Sequence, residues 1–136
     1  MIYAIDINET RDYVCKADEK SEKPTLWKIG VIDSITMSKL DKVDVEYNME
    51  TEDTKIKANL MGRELEFVRY GLKGWQNFCD KNGQEIKPEF NTIGRAGGSS
   101  QVLVDRVLQK IPADVIREIA QEIRKGNVLS ETERKN

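Results

Sequence analysis

Tyr70-Gly71-Leu72-Lys73-Gly74-Trp75-Gln76-Asn77-Phe78-Cys79-Asp80-Lys81-Asn82-Gly83-Gln84-Glu85-Ile86 is the stretch on which the fold turns. Upstream of it, Met61, Leu65, Val68 and Leu72 fall at helical spacing, with Ile56, Leu60 and Phe67 beside them. The acidic run Glu50-Thr51-Glu52-Asp53-Thr54 suits the entry of that helix, because carboxylates complement the positive end of a helix dipole. Gly71 and Gly74 are expected to end it. Trp75 to Phe78 and Gln84 to Ile86 then flank Asp80-Lys81-Asn82-Gly83, whose Asn-Gly pair signals a hairpin turn. The stretch thus marks a change from helix to strand within a few residues. Trp75 is the expected packing anchor.

Towards the N-terminus, Met1 to Ile7 is rich in β-formers and reads as a first strand. Asn8 to Pro24 is polar, without a sustained period, and reads as an exposed loop. Thr25 to Ile32 reads as a second strand, after which Asp33 can N-cap a short helix towards Leu40. Lys42 to Tyr47 alternates charge with β-formers, as a half-exposed third strand would. Towards the C-terminus, Lys87 to Ser100 reads as an irregular, glycine-rich connection. Two helical patterns follow it. Leu103, Val107 and Ile111 share a face with Val104 and Leu108; Ile116, Ile119, Ala120 and Ile123 form a second stripe behind Pro112 and Asp114. Lys125 and Gly126 are expected to close that helix, leaving 127–136 as a tail.

These readings assemble into one α+β domain over residues 1–136. Residues 1–90 supply a small antiparallel sheet with one packed helix and a β-hairpin, 91–100 the glycine-rich connection, and 101–126 a pair of amphipathic helices. The chain is long enough to bury roughly 65–70% of its extended surface without staples. Charged residues make up 34% of it, yet the net charge is only -2. That balance makes nucleic acid an unlikely partner, since duplex binding needs a basic patch to displace counterions. Asp6, Glu9, Arg11 and Asp12 interrupt the apolar start, so neither a signal peptide nor a membrane span is expected, and the chain is read as cytoplasmic. With no histidine and two isolated cysteines, Cys15 and Cys79, neither a zinc site nor a disulfide framework is expected. Cys79 reads as a small buried hydrophobe.

Chemistry-bearing patterns are few. Gly94-Arg95-Ala96-Gly97-Gly98-Ser99-Ser100 leads into an expected helix, so Arg95, Gly97, Gly98 and Ser99 form a candidate anion site. The run lacks the lysine-hydroxyl ending of a P-loop, and the plainer reading is a connection with Ser99 or Ser100 as N-cap. Asp80 to Glu85 has alternating oxygen ligands about a glycine, but lacks the bidentate glutamate of a calcium loop and reads as a turn. The clusters Asp41, Asp44, Glu46 and Glu50, Glu52, Asp53 read as solvated faces or helix starts. Ser99 or Cys79 as nucleophile would need a base that the sequence does not supply nearby. No catalytic residue, metal or cofactor is expected. The candidate partner-binding residues are Trp75, Leu103, Val107, Ile116, Ile119 and Ile123, should their faces be open; core packing is the plainer role.

The Gly71-Leu72-Lys73-Gly74-Trp75 turn, Asp80 to Ile86, the glycine-rich spacer, Ile111 to Ile116 and the ending Leu129-Ser130-Glu131-Thr132-Glu133-Arg134-Lys135-Asn136 together resemble small tailed-bacteriophage proteins of the tail assembly chaperone group. The resemblance covers roughly the second half of the chain. It implies a non-enzymatic protein that coats the tape-measure protein and helps to recruit tail-tube subunits, acting in the host cytoplasm and possessing the option of self-association. A structural virion component, at the head–tail neck or on the capsid, is the alternative within the same setting. A phosphate-ligand-binding protein using Gly94 to Ser100 is the alternative outside it.

Overall fold

The computed structural model describes the backbone of residues 1–40, 53–95 and 98–135, and the side chains of residues 1–40, 62–94 and 98–126. Within them the chain has an α+β fold. Strands β1 (Thr10–Tyr13), β2 (Leu26–Gly30) and β3 (Leu72–Gln76) form an antiparallel sheet in the order β1-β2-β3. Strands β4 (Phe90–Arg95) and β5 (Gly98–Leu103) form a separate antiparallel pair. The helices are α1 (34–40), α2 (Asp53–Gly71), α3 (Asp105–Leu108) and α4 (Ala113–Lys135), with a 3-10 turn at Lys16–Asp18. The strand expected over Lys42 to Tyr47 lies outside the described residues, as do the first three residues of the acidic helix entry, Glu50 to Glu52.

The second strand and its sequel follow the sequence closely. In β2, Trp27 and Ile29 are buried while Lys28 between them is exposed, the alternation of a half-buried strand. Asp33 caps α1 as expected: its Oδ1 accepts from the Thr36 amide at 2.9 Å and its Oδ2 from the Thr36 hydroxyl at 2.7 Å. Trp27 lies opposite Trp75 in the ladder, their rings edge to face at 5.8 Å, with Phe78 against both. The expected turn at Asp80 to Gly83 is present. Asp80 Oδ1 accepts from the amides of Asn82 and Gln84, and Gly83 takes φ +81°, which glycine adopts without steric cost. Its flanks meet in a single bridge, Cys79 to Glu85, and Asn77 at φ +63° breaks the extended backbone between β3 and that bridge. The Trp75 indole N–H nevertheless donates to the Ile86 carbonyl at 2.6 Å and ties the turn back to the sheet.

Elsewhere the structure corrects the reading. Met1 to Ile7 is not a strand, whereas part of the supposed loop Asn8 to Pro24 is: Thr10–Tyr13 pairs with β2 from Thr10 opposite Gly30 to Tyr13 opposite Trp27. Local β-propensity favours the first segment, but tertiary contacts select the second. The Tyr13 hydroxyl donates to Glu118 Oε2 at 2.6 Å, and Arg11 reaches the Glu122 carbonyl oxygen and carboxylate at 3.0 and 3.1 Å, so α4 clamps β1. Gly74 does not terminate α2. That helix ends at Gly71, and Leu72 already belongs to β3. Gly71 is not left-handed; its missing Cβ admits Ile123, whose Cδ1 would otherwise lie 2.6 Å away.

Lys87 to Ser100 is not an irregular connection, because β4 and β5 pair from Phe90 opposite Leu103 to Arg95 opposite Gly98. The first helical pattern is shortened in consequence, its start given over to strand. Leu103 closes β5, Val104 is extended, and only Asp105–Leu108 is helical. Val102 and Leu103 serve the ladder with β4 as well as they would a helix face, and the ladder prevails. Gly126 does not stop α4, which runs on to Lys135. A single interior glycine costs a helix only about 1 kcal/mol, less than continued hydrogen bonding returns. Cys79 is exposed, and Cys15 is the buried thiol.

Helix α4 packs on α2 and β2, and α2 packs on β5. Phe67, Val68, Leu72, Leu103, Ile116, Ile119 and Ile123 form the fully buried centre where these elements meet. Arg69 joins the layers on the rim: its guanidinium bonds Asp105 at 2.6 Å and the Leu103 carbonyl oxygen at 3.2 Å.

Candidate functional site

Two surfaces are candidates. The first is a half-open cleft of about 280 Å³, where the loop before β1, the start of α1, the junction of α2 with β3, and β5 converge. Thr10, Asp33, Thr36, Lys73, Ser99 and Ser100, with the amides of Asn8 and Gln101, supply its polar lining. Each charged member is set by backbone geometry. Asp33 is the cap of α1. Lys73 donates from Nζ to the Tyr70 carbonyl oxygen at 2.7 Å, satisfying an acceptor left open at the C-terminus of α2. Its aliphatic stem lies against Gly30, where an added Cβ would meet Lys73 Cγ at 2.8 Å. One cation and one anion balance across the lining, and hydroxyls dominate the remainder. Such a lining suits hydrogen bonding to a small polar group.

Of the expected anion site, Ser99 and Ser100 line this cleft. Gly97 and the Arg95 side chain lie outside the described residues. Gly98 takes φ +150° at the start of β5. The premise of that site was a helix beginning after Ser100, and this is not what the chain does: Ser99 and Ser100 sit in the ladder opposite Gly94 and Ile93. The cradle of free amides at a helix N-terminus is therefore absent from this position.

The second surface is the N-terminal segment. Met1, Ile2, Tyr3 and Ile7 are 93%, 85%, 59% and 41% exposed, and only Ile35 joins them among large exposed hydrophobics of the described residues. Scattered apolar residues on a surface are ordinary, but a cluster within seven residues is a sign of contact. Reading the segment as the first strand obscured this. The available signal was a β-former run that no neighbouring hairpin could pair.

The six residues expected to meet a partner, Trp75, Leu103, Val107, Ile116, Ile119 and Ile123, are all buried in the core of the chain itself. They hold α2, α4, β3 and β5 together, and their side chains are not presented to solvent.

A third cluster is structural. Glu118 on α4 accepts from the Tyr13 hydroxyl and from the Lys16 amide at 2.9 Å. Burial alone would raise its pKa, but hydrogen bonds from Tyr13, Lys16 and Cys15 outweigh it and hold the carboxyl below its ordinary range. The partners respond in the complementary direction. Burial, then the hydrogen bond to Glu118, pushes the Tyr13 phenol up, and burial with the Glu118 charge pushes the Cys15 thiol up to about 12. A thiol so placed stays protonated at neutral pH, which disqualifies Cys15 as a nucleophile.

Among the described residues, no three His, Cys, Asp or Glu side chains group as a metal site, and no helix is long and apolar enough to cross a membrane. Comparison with family models, with curated proteins and with solved structures finds no match.

Proposed function

We propose that this chain is a non-enzymatic, protein-binding assembly factor, a tail assembly chaperone of a tailed bacteriophage that holds the tape-measure protein in the host cytoplasm. The supporting observation is the apolar segment Met1 to Ile7, which carries four of the large exposed hydrophobics yet joins neither sheet. A segment rich in apolar side chains that lies outside both sheets offers those side chains to a partner. A tape measure is a long helical chain with apolar faces, so exposed apolar side chains are what a holding protein needs. The motif resemblance of the second half of the chain supplies the phage setting, and the N-terminal segment supplies the contact.

Co-expression with the tape-measure candidate tests the reading. The tape measure should become more soluble with this chain, and Ile2→Asp with Tyr3→Asp should abolish the gain while leaving the fold intact. No gain in solubility with the unaltered chain sinks the proposal. The alternative, a virion component, predicts a fixed copy number in purified particles, where a chaperone is absent.

A binding role for the cleft is the second reading, favoured by the convergence of Ser99, Ser100 and Lys73 on one cavity. Its ligand would be a small phosphate compound. Isothermal titration with inorganic phosphate and a nucleoside monophosphate tests it, and a Ser100→Leu variant should lose any heat of binding. Absence of binding at millimolar concentration ends this reading.

A further inference from the structure

The cleft between β5, α1 and the α2–β3 junction carries two kinds of polar group. Ser99 and Ser100 are consecutive in β5, so their side chains leave opposite faces of the strand. Both reach the cleft, which therefore runs along the outer edge of β5, the edge that pairs with no described strand. Backbone groups of that edge join the two hydroxyls. Lys73 supplies a cation, and its stem is seated against the backbone. A Cβ added at Gly30 would lie 2.8 Å from its Cγ and 3.0 Å from its Cε, and its Nζ is drawn in to the Tyr70 carbonyl oxygen. Hydroxyls, strand-edge amides and an ammonium are donors that suit an anionic oxygen group.

At the start of α1 the lining reverses in character. Asp33 is an acceptor only, fixed by the amide and the hydroxyl of Thr36. A carboxylate accepts about four hydrogen bonds, so a ligand hydroxyl adds to those from Thr36 without displacing them. The same carboxylate repels an anion. The C-terminus of α2, which meets the cleft at Tyr70, repels one as well. Bare phosphate thus meets one cation and two sources of negative potential, and a single part-exposed ion pair contributes little.

We propose that the cleft takes a sugar phosphate, with the phosphoryl oxygens on Lys73, Ser99 and Ser100 and ring hydroxyls donating to Asp33. Ring hydroxyls donate and accept, so they suit the Asp33 carboxylate and the Thr10 hydroxyl alike. A cavity of about 280 Å³ lies at the small end of ligand pockets, with room for one ring and its phosphate. This ligand class rests on the cleft being a phosphate-binding site, and is independent of the tape-measure reading.

Isothermal titration of the full chain with ribose 5-phosphate, inorganic phosphate and ribose tests the assignment. Ribose 5-phosphate should bind about tenfold tighter than either of its parts. Asp33→Asn keeps an acceptor for the cap of α1 and removes the charge. It should cost ribose 5-phosphate about tenfold in affinity while leaving inorganic phosphate unchanged or tighter. A general structural defect would weaken both. Lys73→Met, by contrast, should weaken both. Equal affinity for phosphate and ribose 5-phosphate, or an equal loss of both in Asp33→Asn, overturns the sugar assignment and leaves a plain phosphate site. Absence of binding by all three at roughly 10 mM overturns the phosphate site together with it. Binding that survives Ser100→Leu overturns it too, since the site then lies elsewhere.

Discussion

Replacing Gly71 by alanine tests the closest approach in the core. An added Cβ would lie 2.6 Å from Ile123 Cδ1, 2.9 Å from its Cγ2 and 3.1 Å from its Cγ1, where carbon atoms prefer roughly 3.5–4.0 Å. Ile123 is fully buried against α2, so it cannot swing into solvent to make room. Overpacking of this kind costs about 1–3 kcal/mol, partly offset by the better helix propensity of alanine, at most about 1 kcal/mol. The expected net loss is about 1–2 kcal/mol, a fall in Tm of roughly 4–8 °C for a chain of this size. Urea unfolding followed by the fluorescence of Trp27 and Trp75 measures it, with an unchanged m-value showing that only stability has moved. The partner substitution sharpens the test. Ile123→Val removes Cδ1, costs about 0.5–1.5 kcal/mol by itself, and should reduce the Gly71→Ala penalty. In an Ile123→Ala background all three close atoms are gone, and the added methyl should be neutral or stabilising. If Gly71→Ala stabilises the unaltered chain, or costs the same in all three backgrounds, the close-approach argument is wrong.

Three further outcomes are expected. Cys79 should react with a thiol reagent in the native protein at pH 8, whereas Cys15, with its thiol pushed up to about 12, should react only on unfolding; two equally fast thiols would contradict the burial described. Glu118, held below its ordinary 4.5, contributes stability that is complete above that value and is lost as pH falls through its folded pKa. Glu118→Gln should thus cost about 1–2 kcal/mol at pH 7 and progressively less in urea titrations below about pH 4.5. Trp75→Phe removes the donor to the Ile86 carbonyl oxygen and should lower stability by about 1–2 kcal/mol, with exchange protection lost first at the Ile86 amide.

Elements whose causes are local were legible in the sequence. The cap of α1 by Asp33, the alternation of β2 and the turn at Asp80 to Gly83 each depend on residues within a few positions. Strand β1 was not legible, because what holds Arg11 and Tyr13 lies 111 and 105 residues away on α4. The hairpin of β4 and β5 was hidden for a different reason. Val102, Leu103, Val104, Val107 and Leu108 satisfy a helical period as well as a strand followed by one turn of helix, and only the Phe90 to Arg95 partner decides between them. The candidate site divides in the same way. Ser99 was singled out by its glycine-rich surroundings, but its neighbours in the cleft, Lys73, Asp33 and Thr10, come from three separate segments that no spacing rule connects.

The direct passage from Gly71 at the end of α2 to Leu72 at the start of β3 has a mechanical meaning. Without a linker to absorb torsion, the helix and the central ladder behave as one bent lever, and a load applied along α2 arrives at Trp75 and its neighbour Trp27. The tolerance of the chain to insertion should be distributed accordingly. The solvent-facing tip at Lys81 and Asn82 can lengthen without moving anything else, whereas one extra residue at the junction would rotate every side chain of β3 to the opposite face.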